Sequence, residues 1–138
     1  MDQKLIFLPV LMQVFLTFLI YIGISKAKNK AVALGQVDES RRALHKDAWS
    51  DDVLKFTNNL TNQFEAPVLF FVLCFVLWAS ESVNSLTLGL AFGFAVSRYA
   101  HAYVHTGSNY VPMRKRVFML GVLILMALFL CALVGVLR

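Results

Sequence analysis

The chain has 138 residues, of which 59% are hydrophobic and only 15% charged, an apolar share well above that of an ordinary soluble domain. Its formal net charge of +5 is gathered in two polar stretches between apolar blocks, so it reads as a membrane-topology signal and requires no nucleic-acid partner. Cys74 and Cys131 both lie inside apolar blocks with no partner at metal-ligand or redox spacing, and read as small core residues.

Four apolar blocks carry the surplus. Crossing a hydrocarbon core of about 30 Å takes about 20 helical residues. That length places membrane-spanning helices at about residues 5–24, 61–79, 82–104 and 116–137, within one domain covering 1–138. The expected fold is an all-α integral membrane protein, a four-transmembrane-helix bundle.

The first block is as long as a full span. Asp2 stands beside Lys4 before it and no small-x-small cleavage site follows, so it reads as a retained helix rather than a signal peptide. Gln13, Thr17 and Tyr21 recur every four residues and form one polar stripe, expected to face other helices. The basic run Lys26, Lys28, Lys30 is expected to close this helix, where cations suit the helix C-terminus. Residues 31–52 form a long polar connection, with a short amphipathic helix expected from about Glu39 to Trp49. Ser50 followed by Asp51 and Asp52 makes an N-cap and an acidic first turn for the next helix.

That second helix carries Asn58, Asn62 and Glu65 at i, i+4 and i+7, with Pro67 two residues on. The three share one face, and an acid at the membrane boundary needs a partner or a proton. Pro67 frees a backbone carbonyl one turn earlier, close to the same polar groups. Two readings stand side by side: Glu65 pairs with Arg98 or another basic residue to lock the bundle, or the stripe is half of a ligand pocket. Asn59-Leu60-Thr61 also fits a glycosylation sequon, but the expected topology puts it at the cytoplasmic surface.

A tight hairpin around Glu81 and Asn84 leads to the third span. Gly89 and Gly93 form a GxxxG pattern that lets another helix approach. Well around the helix from those glycines, Arg98, His101 and His105 fall at i, i+3 and i+7 on one face. An ionisable group within a span costs about 2.5–3.5 kcal/mol at the membrane centre, so a polar site between helices is the expected reason for this face. Residues 107–112, from Gly107 to Pro112, turn the chain, and Arg114, Lys115 and Arg116 open the last span, against its helix dipole. The loops holding the basic residues are expected to be cytoplasmic, and the hairpin without lysine or arginine on the other side.

With those residues in view, the chain resembles the MAPEG family, the membrane-associated proteins of eicosanoid and glutathione metabolism. The resemblance covers nearly the whole chain. The family's second-helix pattern, a basic residue, Asn, Glu and Pro, appears as Asn58, Asn62, Glu65 and Pro67. Its third-helix pattern appears as Arg98, His101, Gly107, Pro112 and Arg114. The resemblance implies a bacterial-type member in an inner membrane. It implies a homotrimer that holds glutathione between subunits near the cytoplasmic face and applies its thiol to lipophilic electrophiles. It further implies that Arg114 stabilises the thiolate as the catalytic residue, and that Lys26, Asn58, Asn62, Glu65, Arg98, His101 and His105 surround the bound peptide. Asn58 stands where catalytic members have a basic residue, and Phe118 where some have Tyr.

The expected function is therefore thiol transfer or reduction on lipophilic small molecules, with membrane lipids and further copies of the chain as partners. The alternative is a non-catalytic relative that binds a lipid or another thiol, its polar residues being structural. Asn58 discriminates between them, since it weakens carboxylate binding and is harmless to a structural role. Metal or haem binding through His101 and His105 lacks a nearby Cys and a clear third ligand, so no metal is expected.

Overall fold

The computed structural model describes residues 1–138 and is entirely helical. A short 3₁₀ turn, Gln3–Ile6, leads into α1, Phe7–Ala33. The second column is broken into α2, Asp51–Gln63, and α3, Ala66–Ala79. The others are α4, Ser85–Thr106, and α5, Val111–Leu137. The four-helix bundle expected from the apolar blocks is the observed architecture.

Three columns, Gln3–Ala33, Asp51–Ala79 and Val111–Leu137, are long and apolar enough to cross a membrane. The fourth, α4, has 22 residues and so a length of about 33 Å at about 1.5 Å per residue. Arg98, His101 and His105 lower its hydropathy, and all three are buried in the bundle. No more than 28% of the most apolar stretch of each of the three apolar columns is buried within the chain.

The expected second span is broken at Phe64 and Glu65, and the last helix starts at Val111 rather than about residue 116. The end of α1 and the loop after it also depart from the sequence expectation. α1 runs past Lys26–Lys30 to Ala33 and stops at Gly35, whose φ of 65° supplies the left-handed turn. Gln36 N then donates to Ala31 O at 2.9 Å. Lysine and alanine are good helix formers, and nothing in the basic run breaks the ladder before that glycine. The amphipathic helix expected at Glu39–Trp49 is instead a folded loop with one 3₁₀ turn, Lys46–Ala48. Its start is diverted by Asp38, which accepts from both Ser40 N and Ser40 Oγ. The loop is held by Arg41–Asp47 and Arg42–Glu39 ion pairs of 2.7 and 2.8 Å and by Trp49, whose ring lies beneath Lys28 Nζ and the Arg42 guanidinium.

The core divides along the bundle axis. At the hairpin end, Phe70, Cys74 and Leu77 of α3 pack with Ala91 and Phe94 of α4 and Leu125, Leu128 and Ala132 of α5. The rings of Phe70 and Phe94 stack at 4.5 Å. The start of the chain is clipped there, since Gln3 Nε2 donates to Val83 O and Val83 N donates to Gln3 Oε1. Asn84 and Thr87 form a capping box that starts α4. Toward the opposite end, where the long first loop and the α4–α5 turn lie, the buried residues become polar: Gln13, Asn59, Gln63, Arg98, His101 and His105.

The GxxxG pattern does not pack tightly within the chain. A side chain at Gly89 would meet open space, and one at Gly93 would only touch Ile124. The close approach between α4 and α5 is at buried Gly121, where a Cβ would lie 3.1 Å from Ser97 Oγ.

Candidate functional site

At the loop end, α2, α4 and α5 splay around a cavity of about 550 Å³. Its lining combines Asn58, Thr61 and Asn62 of α2, His101 and His105 of α4, Val111, Arg114, Lys115 and Phe118 of α5, and Lys46 from the first loop. Three cations line it and no carboxylate does. A smaller recess beside it shares Asn58 and His105. A second large cavity, about 590 Å³, lies at the hairpin end and includes Glu81, Asn84, Cys131 and Arg138.

The break between α2 and α3 shapes this site. Pro67 sits in the first turn of α3 and has no N–H for the ladder, so the backbone opens at Phe64 and Glu65. Carbonyls of the last α2 turn are thereby released. One of them, Asn62 O, accepts from Arg98 Nη2 at a long 3.4 Å. Arg98 is 1% exposed, its guanidinium lies 5.8 Å from the Phe118 ring, and its Nε has no partner. No carboxylate forms an ion pair with it. The Glu65–Arg98 pair considered from the sequence is therefore absent from the structure. Glu65 is exposed at the helix break and lies outside the cavity.

Of the residues singled out by sequence, Asn58, Asn62, His101, His105 and Arg114 come together in the lining, with Arg98 buried behind them. Lys26 is exposed on α1 and does not line the cavity. Arg114 is half-buried and held in place, because its Nη1 donates to Asn109 Oδ1 at 2.7 Å. His105 Nδ1 lies 3.3 Å from both Asn59 Nδ2 and Asn62 Nδ2. The His101 and His105 rings meet edge to face, with centroids 5.4 Å apart. No group of three or more His, Cys, Asp or Glu side chains comes together as metal ligands.

Sequence reasoning passed over Lys46 and Lys115, reading them as topology charges, and did not assign Asn59 or Gln63 to the polar interior. Asn59 is fully buried, which removes its sequon from any glycosylating surface. Gln13, from the α1 stripe, is fully buried and donates to Gln63 Oε1 at 2.7 Å. Tyr21, two turns along the same stripe, is 48% exposed.

Chemically, this arrangement suits an anion. Three lining cations with no competing carboxylate raise the local potential, and a cation beside a thiol favours its thiolate. The volume falls within the range of small-ligand pockets, about 300–1,000 Å³. The sequence matches the model of the MAPEG family over residues 6–134. Neither the curated proteins nor the solved structures offer a match.

Proposed function

The chain belongs to the MAPEG family and is an integral membrane protein, and from that premise we propose that its loop-end cavity binds glutathione for transfer to, or reduction of, lipophilic electrophiles. The observation that carries the reading is the cavity itself: Lys46, Arg114 and Lys115 line it without any carboxylate. Glutathione is a tripeptide with two carboxylates and a thiol, and those cations would neutralise the groups that most need it. Arg114, tethered by Asn109, is the group for the thiolate. Lys46 and Lys115 take carboxylates, and the amides of Asn58 and Asn62 hydrogen-bond the peptide. The electrophile dissolves in the bilayer and reaches the thiol along the outward-facing surface of the spans.

The functional unit is a homotrimer with its loop end toward the cytoplasm. Support comes from the small share of each span that is buried and from the open space over Gly89, which leaves a small-residue face for a neighbouring helix. The basic loops supply the orientation.

The test is equilibrium binding of glutathione to the purified protein in detergent or lipid, followed by turnover with a chlorodinitrobenzene-type acceptor. Millimolar or tighter binding with turnover is expected, and Arg114→Ala should abolish turnover while leaving binding largely intact. No binding at millimolar glutathione would defeat the proposal. Binding without turnover would favour the non-catalytic reading, for which Asn58 and the outward position of Glu65 are the supporting observations.

A further inference from the structure

Inside the bundle, a chain of side-chain amides connects α1 to α4 through α2. Gln13 Nε2 meets Gln63 Oε1 at 2.7 Å, Gln63 Nε2 meets Asn59 Oδ1 at 2.9 Å, and Asn59 Nδ2 meets His105 Nδ1 at 3.3 Å. Gln13, Gln63, Asn59 and His105 are all buried. A row of primary amides can run in either direction, because turning each amide over exchanges donor and acceptor. Its ends decide which direction holds.

Run from Gln13 to His105, the row leaves one buried atom at its end without a partner, the carbonyl oxygen Gln13 Oε1. Run in reverse, it would leave the Gln13 amide nitrogen there, with two N–H groups and nothing to accept them. A buried orphan donor is rarer than an under-used carbonyl oxygen, so the first direction holds. At the other end the Asn62 amide also lies 3.3 Å from His105 Nδ1 and, free to turn, follows whichever direction the row takes. An imidazolium would set its own Nδ1–H against the Asn59 donor. It would also add a charge beside Arg98 and Arg114 of α4 and α5 and in a cavity with Lys46 and Lys115, while Asp51 of α2, the one carboxylate sharing a recess with His105, stands there with Lys55.

The lone pair therefore sits on Nδ1 and the ring proton on Nε2. Nε2 has no partner within the chain and is not among the enclosed unpartnered atoms, and His105 lines the cavity and the smaller recess beside it. We infer that Gln13, Gln63 and Asn59 are positioning residues that hold His105 as a neutral Nε2–H donor toward the cavity, so that the site takes a ligand presenting a hydrogen-bond acceptor at that point, which the lining Lys46, Arg114 and Lys115 make an anionic one, a carboxylate or thiolate. The proton position stands independently of the glutathione reading. The identity of the ligand rests on it.

The experiment is nitrogen NMR of the full chain, ¹⁵N-labelled at histidine, in lipid bilayers at neutral pH. The chain has three histidines, and His45→Gln and His101→Gln assign the signals. His105 should show a bare Nδ1 and a protonated Nε2. A proton on Nδ1, alone or with one on Nε2, overturns the inference. Asn59→Asp places an acceptor where the donor stood, and should move the proton onto Nδ1. An unchanged tautomer in that folded variant also overturns it. If the variant does not fold, the wild-type spectrum alone decides. Adding glutathione should shift the Nε2 signal without changing the tautomer. With the expected tautomer in place and no shift at millimolar glutathione, it is the glutathione reading that falls.

Discussion

Arg98 illustrates at the scale of one residue how far burial and pairing can part company. Its guanidinium is enclosed, has one long hydrogen bond to a carbonyl, and no ion pair. A buried cation without a partner weakens a fold, and such groups persist where function needs them. Arg98→Met preserves volume and removes the charge, so the unfolding temperature in detergent should hold or rise, while glutathione affinity falls at least about tenfold, or about 1.4 kcal/mol. A marked loss of thermal stability would show that Arg98 is structural. Glu65→Gln should lower stability by less than about 1 kcal/mol, since Glu65 is exposed, makes no ion pair and acts on Arg98 only at a distance. Asn58 offers the converse change. It lines the cavity where a basic residue is the family pattern, so Asn58→Arg should tighten glutathione binding by about 1.5–3 kcal/mol through a charge-assisted contact, measured by calorimetry.

At the scale of elements, the α4–α5 pair is the joint that fixes the cavity. Gly121 faces Ser97 and Phe94 of α4, and a Cβ there already crowds Ser97 Oγ at 3.1 Å. Gly121→Val should cost about 1–3 kcal/mol in thermal unfolding by forcing the helices apart. Because Arg114 lies two turns away on the same helix, the variant should also weaken anion binding. The first loop answers to pH instead. The hydroxyl of Ser40 holds the Asp38 carboxyl below the usual aspartate range, and the Arg41 hydrogen bond does the same to Asp47. A depressed carboxylate contributes stability above its unfolded value, here 3.8, and that contribution is lost as pH falls through the lower folded value. Intrinsic-rate-corrected amide exchange over residues 38–49 should therefore stay flat from about pH 8 to about pH 5 and quicken only in more acid buffer. Both carboxylates are fully exposed, so quickening already near neutrality would have another source.

At the scale of the whole molecule, one chain fully buries only a small part of each span and leaves a bare helix face at Gly89. Lipid can cover apolar side chains, but it offers little reason to keep a glycine stripe. Native mass spectrometry from mild detergents should give three copies. Gly89→Leu should dissociate them without lowering the helicity of the chain, since nothing in the same chain lies within 4 Å of that position. Monomer alone across several mild detergents would count against the assembly.

The sequence by itself determined three helices long and apolar enough to cross a membrane, because about 20 consecutive apolar residues have few other stable outcomes. It also determined that Arg98, His101 and His105 share a face, since once the segment is helical the sequence spacing alone fixes the face. It could not determine which polar residues of α2 turn inward. Val53, Phe56 and Leu60 mark an inward stripe at i, i+3 and i+7, but hydropathy does not separate Asn59 and Gln63 at its edge from Asn58 and Asn62 farther round. The choice fell to packing against His105 and Gln13, which drew Asn59 and Gln63 into the interior and left Asn58 at the rim. Lys46 joined the cavity for the same kind of reason: a residue in a folded loop is placed by the contacts that fold it, here ion pairs and a tryptophan, and by no local period. Glu65 turned out of the site because Pro67 opened the helix just before it, and a break in the backbone ends the phase on which a shared face depends.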